Sequence, residues 1–368
     1  MKIIRTIETF YPYISGPANQ AYKISEELEK QGIRSPIMTT FYGAKGRPAQ
    51  EKMGFVSVHR YPHRMGFMKY LYSPAMKRAL KGFDIIHTHN YRSYQAEISY
   101  LAARKHNKPF VLSTHGSLLG YKSFVRGINQ TPYLVYDVFG RTVVDNADAV
   151  IVSSKMEYAE AREFGVSKDK LHIIPMGIDI NDYTPMEKTW KGTRLLFVGR
   201  ISRDRRLEPI IEAMPMIKDA HLTIVGAEAK RSSVSKPGYI EELKRLSNRL
   251  GIRSRVYFAG EKHGEELRYY YRSSDVFVYT SVWENFGQSL LEAQAAGLPL
   301  VCTPVGIAPE VVIEKTGRIL DGLTPNDIKA AIKQVKSLDK DFIRKRIVSI
   351  YGWEGITKKY LKLYKGLN

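Results

Sequence analysis

The stretch Asp275–Val301 constrains the fold more than any other part of the chain. Asp275-Val-Phe-Val-Tyr279 is a short apolar run of the kind found in a parallel strand covered on both faces. After Gly287 come Leu290, Leu291, Ala293, Ala295 and Ala296, without the alternation of a strand, and the spacing predicts a helix. Gly297 suits a left-handed cap, Pro299 cannot continue the helix, and Leu300-Val301 begins another strand.

This element places two acids differently. Glu284 falls in the loop before the helix, at the carboxyl edge of a strand, and Glu292 falls inside the first turns. Backbone N–H groups at a helix start, approached closely because Gly287 has no side chain, can hold a diphosphate. A carboxylate one turn further in can accept from a vicinal diol such as ribose, and one before the helix can do the same for a sugar hydroxyl. The arrangement suits a nucleotide sugar. Spacing alone fits a surface helix with solvated glutamates equally well.

Glu284-Asn-Phe-Gly-Gln-Ser-Leu-Leu-Glu292-Ala-Gln-Ala-Ala-Gly-Leu-Pro299 resembles the paired-glutamate signature of the family 4 retaining glycosyltransferases, the group 1 glycosyltransferases of GT-B fold. The resemblance runs along nearly the whole chain. It implies an α/β architecture, GT-B, with two Rossmann-like parallel-sheet domains facing each other across a cleft. Residues 1–182 would be the acceptor-side domain, with a C-terminal helix over 352–368 packed back on it. Residues 183–351 would bind the nucleotide sugar, after a linker over 180–193.

Carried onto this chain, the resemblance assigns roles. Glu284 would orient donor hydroxyls and Glu292 the ribose, while Asn285, Phe286, Gly287, Gln288 and Ser289 line the diphosphate. The family follows the Gly-Arg of its second-domain strand with Lys-Gly, both cations facing the diphosphate. Here Arg200 keeps its place, and Arg205 stands in the Lys position, where its fork can grip a phosphate bidentately. Arg206 stands in the Gly position and lacks that residue's backbone freedom. Gly260 would let the base lie against backbone, beside Lys262. In the first domain, His115 of Thr114-His-Gly116 would contact the donor sugar. Gly16 falls where the family has Gly-Gly, and Pro17 removes one N–H there. Met176 for Asn and Ile307 for Gly are further departures.

The length, 368 residues, fits two α/β domains. No apolar run is long enough to span a bilayer, and Met1–Glu8 is charged too soon for a signal peptide. The lone Cys302 suits a reducing cytoplasm and reads as packed at a strand end. His87 and His89 read as satisfied strand-end residues rather than metal ligands, and Asp339-Lys-Asp341 as a helix cap. Neither a metal nor a cofactor is expected. Arg200, Arg205 and the amides of Gly287–Ser289 would then neutralise the departing nucleotide diphosphate.

A net charge of +20 calls for an anionic partner. No nucleic-acid-binding signature accompanies it, so nucleic acid is not expected. Between Lys52 and Tyr136 stand thirteen Lys and Arg against two acids, Asp84 and Glu97. Over Arg60–Lys81 the cations alternate with Tyr61, Met65, Phe67, Met68, Tyr70, Leu71, Tyr72 and Met76, as in an interfacial segment. The expectation is a cytoplasmic protein, peripheral on the inner face of the plasma membrane, with a lipid-linked or phosphorylated acceptor. The rival readings are a nucleotide-sugar epimerase of the same fold, acting on donor alone, and a basic nucleic-acid-binding protein. A phosphorylase would need a pyridoxal-binding lysine motif, which the chain lacks.

Overall fold

The computed structural model describes the chain except residues 14, 67–69, 124, 126, 180, 188–189, 229–236 and 368. It divides into two units, Met1–Gly177 with Trp353–Asn368, and Ile178–Gly352. Ile178 donates its N–H to the Tyr351 carbonyl at 2.9 Å, which ties the start of the second unit to its end.

The first unit has strands β1 (Ile3–Thr6), β2 (Ile37–Thr40), β3 (Gln50–Met53), β4 (Val56–Tyr61), β5 (Arg64–Met65), β6 (Leu71–Tyr72), β7 (Ile85–His89), β8 (Phe110–Ser113), β9 (Ala149–Val152) and β10 (Leu171–Ile173). Its main sheet runs β10-β9-β8-β7-β1-β2-β4-β3 and is parallel except where β3 meets β4. β5 and β6 form a separate antiparallel ribbon. In β1, β2, β7, β8 and β9 every residue is buried, because helices cover both faces of a parallel sheet. That double burial is why these strands read as apolar runs.

On one face Ile4, Ile86 and Leu112 pack with Leu80, Ile98 and Val143. On the other, Ile3, Ile85, Val111 and Ile151 meet Trp353, Ile356, Tyr360 and Tyr364 of the C-terminal helix Trp353–Leu367. Those four residues recur at helical spacing and make one apolar stripe. A side chain on Gly177 would lie 2.4 Å from the Trp353 ring, so this helix seats itself where only glycine fits. Met176 beside it is buried.

The second unit contains β11 (Thr193–Val198), β12 (Ala220–Val225), β13 (Val256–Gly260), β14 (Val276–Tyr279), β15 (Leu300–Cys302) and β16 (Gly317–Ile319). They form one parallel sheet in the order β13-β12-β11-β14-β15-β16. The helix Gln288–Ala295 links β14 to β15. Asp339 caps the helix Lys340–Tyr351, its carboxylate accepting from the N–H groups of Asp341 and Phe342.

In each sheet the strand order reverses at a central parallel strand. β1 lies between β2 and β7, and β11 between β12 and β14. Connections leave such a strand pair in opposite directions, so the loops at their carboxyl ends splay and admit a ligand.

Among its described residues, the segment Arg60–Lys81 turns only part of its alternating pattern to solvent. Arg60 is buried at 2.7 Å from Glu51, and Leu71 and Met76 belong to the core. Tyr70 is half-buried and bonds Glu97. Met65 and Tyr72 remain exposed, and Phe67 and Met68 lie outside the described residues. Alternation along the chain here reflects strands and a short helix dipping into the core.

Candidate active site

At the β11/β14 reversal, β14 ends in Tyr279 and leads through Thr280 and Ser281 to Glu284. One Glu284 oxygen accepts from Tyr279 Oη at 2.6 Å and from Arg205 Nη1 at 2.7 Å. Its other oxygen is 3.2 Å from the Asn285 N–H. Arg205 Nη1 also reaches Tyr279 Oη at 2.6 Å and Ser281 Oγ at 2.9 Å. Burial alone would lower the Arg205 guanidinium, but Tyr279, Glu284 and Asp204 outweigh it and hold the group above its ordinary value.

The loop that delivers Arg205 closes with Arg206 at φ +47°, the left-handed conformation a glycine adopts without strain. Thr280 Oγ1 donates to the carbonyls of Arg205 and Arg206 at 2.9 and 2.7 Å and pins that turn to the end of β14. Arg200, in contrast, is exposed, 3.8 Å from Asp204, which itself stands 3.6 Å from Arg205 Nε. The structure therefore links Arg200, Asp204, Arg205 and Glu284 in one charged chain.

Gly287 precedes the helix at φ +88°, and a Cβ there would lie 2.9 Å from Leu290 and 3.3 Å from Glu284 Cγ. Phe286 is buried, its carbonyl accepting from Ile307 N–H at 2.8 Å, and Gln288 and Ser289 are half-buried in the first turn. Glu292, one turn on, accepts from Tyr271 Oη at 2.8 Å. Burial raises its carboxyl to about 7, against the opposing pull of the Tyr271 and Tyr183 hydroxyls. The two signature glutamates thus differ: Glu284 is matched by a cation, Glu292 by phenols.

Gly260 ends β13 at φ +73°, its carbonyl accepting from Gly226 at 2.8 Å, and Lys262 lies 3.3 Å from Glu266. Cys302 is buried, which pushes its thiol up to about 12.

In the first unit, His115 follows β8 at φ +50°, and its Nε2 lies 2.8 Å from His89 Nδ1, the rings stacked 5.1 Å apart. Burial pushes His115 down to about 3 and His89 well below its ordinary range, so both are neutral at pH 7. His87 is satisfied by Tyr364 Oη at 2.7 Å and Ser113 Oγ at 2.8 Å. Glu157, on the helix Lys155–Phe164 after β9, clamps the His115 loop: its carboxylate accepts from Thr114 Oγ1 at 2.6 Å, from Gly116 N–H, and from Ser153 N–H at 2.7 Å. Gly16 opens the helix Gly16–Lys30 with open space around its Cα, and Ser15 supplies the cap.

Two residues here were not singled out by motif. Glu8, just past β1, accepts from Asn90 Nδ2 at 2.6 Å, and burial raises its carboxyl to about 7. It lines a hollow of about 280 Å³ with Tyr13, Ser15, Tyr42 and Asn90. Tyr279 is the other. The available signal was the same for both, a polar residue at the carboxyl end of a buried strand beside a reversal of strand order. Among the described residues no group of three or more His, Cys, Asp or Glu stands together as a metal site.

Residues 14–182 match the model described as Glycosyltransferase Family 4, and residues 187–348 match Glycosyl transferases group 1. The chain belongs to the group 1, family 4 glycosyltransferases. It is 26% identical to the uncharacterized glycosyltransferase MJ1607 of Methanocaldococcus jannaschii over 99% of this chain and 98% of that one. It is 24% identical to the GDP-mannose:cellobiosyl-diphosphopolyprenol alpha-mannosyltransferase of Xanthomonas oryzae pv. oryzae over 99% and 96%. The structure of Anabaena Alr3699/HepE in complex with UDP-glucose superposes with a TM-score of 0.73 at 18% identity, covering 100% of both chains. At that identity the likeness shows the fold, GT-B, and this glycosyltransferase has it.

Proposed function

We propose that this glycosyltransferase moves a hexosyl group from a nucleotide diphosphate sugar to an acceptor with retention of configuration and without a metal. The observation that carries the reading is the buried Arg205–Glu284 pair at the carboxyl end of β14, a few residues before the helix Gln288–Ala295. The donor is a nucleotide hexose, in keeping with UDP-glucose in the Anabaena protein and the GDP-mannose named for the Xanthomonas relative.

In this reading the bond between the sugar C1 and the β-phosphate oxygen loosens toward an oxocarbenium ion. The acceptor oxygen bonds to C1 on the same face, and its proton passes to the leaving phosphate oxygen. Arg200, the N–H groups of Arg205 not spent on Glu284, and the amides around Gly287–Ser289 neutralise the departing diphosphate. Glu284 orients donor hydroxyls through the oxygen that faces Asn285, and Glu292 takes the ribose. Gly260 and Lys262 flank the base. His115 meets the donor sugar as a neutral group, and Gly16 and Glu8 serve the acceptor side.

The acceptor is lipid-linked or phosphorylated, and the protein works at the cytoplasmic membrane face. The net charge of +20 supports this, as does the diphosphopolyprenol named for the Xanthomonas relative. Among the described residues no helix is long and apolar enough to cross a membrane. A screen of UDP- and GDP-hexoses for nucleotide release, with and without a membrane lipid extract, tests the reading. Release that needs the extract is expected. Conversion of donor to an isomeric nucleotide sugar without acceptor would show an epimerase instead.

A further inference from the structure

The helix Thr131–Asp145 is apolar on two sides. Gly140, Val143 and Val144 are buried, and Tyr136 is half-buried against the core. The opposite side carries Leu134, Val135, Val138 and Phe139 into solvent, Val138 at 73% and Phe139 at 76% exposure. The turn before the helix adds Ile128 at 86%, and Leu101 of the helix Tyr94–His106 adds a further exposed apolar group. A surface helix of a water-soluble unit normally turns polar groups outward, so an apolar outer face asks for a partner. Leu101, Val135 and Phe139 share a hollow of about 490 Å³ between the two helices.

The charge around this patch is one-sided. From Leu134 to Gly140 the single acid is Asp137, which is drawn inward to Arg92 at 2.6 Å. Glu97, the acid of the neighbouring helix, is likewise turned inward to the hydroxyls of Tyr136, at 2.7 Å, and Tyr70. Arg104 and Lys105 are exposed on the Leu101 side of their helix, three and four residues on, with Lys108 exposed beyond them. Arg141 and Asp145 pair with each other at the far end. What faces solvent is aliphatic and aromatic, rimmed by cations.

We propose that the outer face of the helix Thr131–Asp145, with Ile128 and Leu101, docks on an anionic phospholipid bilayer. This gives the membrane partner of the proposed function a named surface and rests on that reading. The apolar side chains seat at the boundary between headgroups and acyl chains, and Arg104, Lys105 and Lys108 meet lipid phosphates. The surface lies on the unit that carries Glu8 and His115.

The test uses the full chain with vesicles of phosphatidylcholine and phosphatidylglycerol, followed by flotation. Wild type is expected to float with the vesicles, and Val138→Glu/Phe139→Glu to bind them about tenfold less. A second measurement does not depend on that variant folding. Val138→Cys labelled with an environment-sensitive fluorophore should brighten on vesicle addition; Cys302 is buried and will not compete for label. Wild type that stays unbound, a double variant that floats equally, or a label that stays dim overturns the proposal. So does a wild type that sediments as a dimer while the double variant is monomeric, since a second copy would then cover the face. Nucleotide release from the donor, measured on the same samples, separates the two readings: release without vesicle binding sinks the docking surface and leaves glycosyl transfer standing.

Discussion

Arg205 Nη1 and Glu284 Oε2 lie 2.7 Å apart in a largely buried ion pair, and Tyr279 Oη bonds both partners at 2.6 Å. Removing one partner of such a pair leaves the other charge uncompensated. Arg205→Ala and Glu284→Ala are each expected to destabilise the protein by about 3 kcal/mol, and Arg205→Ala/Glu284→Ala by less than the sum of the single changes. Chemical denaturation of the full cycle checks this, and additive losses would contradict it. Arg205 is thus a structural residue as well as a candidate phosphate ligand.

Arg200 separates the two roles, because it is exposed and lies only 3.8 Å from Asp204. Arg200→Ala should leave the melting temperature unchanged and lower turnover about a hundredfold, since its charge is needed as the diphosphate departs. EDTA should leave wild-type turnover unchanged. Loss of activity in EDTA restored by manganese or magnesium would overturn the metal-free reading.

Glu292 gives a pH signature. Its carboxyl sits at about 7 against an ordinary 4.5, so the native state keeps a proton that the unfolded chain releases. That contribution is fully present below about 4.5 and is lost as pH rises through about 7, on the order of 3 kcal/mol. Buried His87, His89 and His115 have the opposite sign: their lowered values contribute stability above 6.5 that is lost as pH falls. Between 4.5 and 6.5 the two trends oppose, so wild type alone is uninformative. The stability difference between wild type and Glu292→Gln, measured by urea denaturation at pH 5 and pH 8, should shift toward the variant at pH 8. A difference that does not change with pH would contradict the assignment.

His115→Ala should cut turnover while leaving free-nucleotide affinity within about twofold, a few tenths of a kcal/mol. The imidazole is held neutral by burial, so the wild-type pH–rate profile should show no His115 titration between pH 5 and 8. Calorimetry with the free nucleotide decides it. An affinity loss equal to the turnover loss would mean that His115 acts on the nucleotide or on folding.

Strands were legible wherever a parallel sheet buried both faces, as in Ile85–His89 and Val276–Tyr279, because such strands carry apolar runs. The helix between Gly287 and Gly297 was legible from its glycines, both at positive φ. Partners distant in sequence were not. Arg205 and Glu284 are 79 residues apart, and Tyr271, which holds Glu292, belongs to another helix. Arg206 stands where a glycine would be expected, yet it adopts the left-handed turn because Thr280 holds the carbonyls on either side of its N–H. The Arg60–Lys81 pattern was legible only in part for a related reason: spacing shows which residues alternate, but not that Arg60, Leu71 and Met76 face inward. The helix Thr131–Asp145 carried no flag in its sequence, since an apolar helix buried on all sides would read the same.

In the proposed function the β11/β14 reversal holds a nucleotide sugar through the glutamate-bearing helix. Calorimetric titration of UDP- and GDP-hexoses into wild type and Glu292→Ala tests it most directly. At least one donor is expected to bind wild type, and the variant to lose about 1.5–3 kcal/mol, the worth of hydrogen bonds from ribose to a desolvated carboxyl. Equal affinity in the two proteins, with the variant folded, would contradict it.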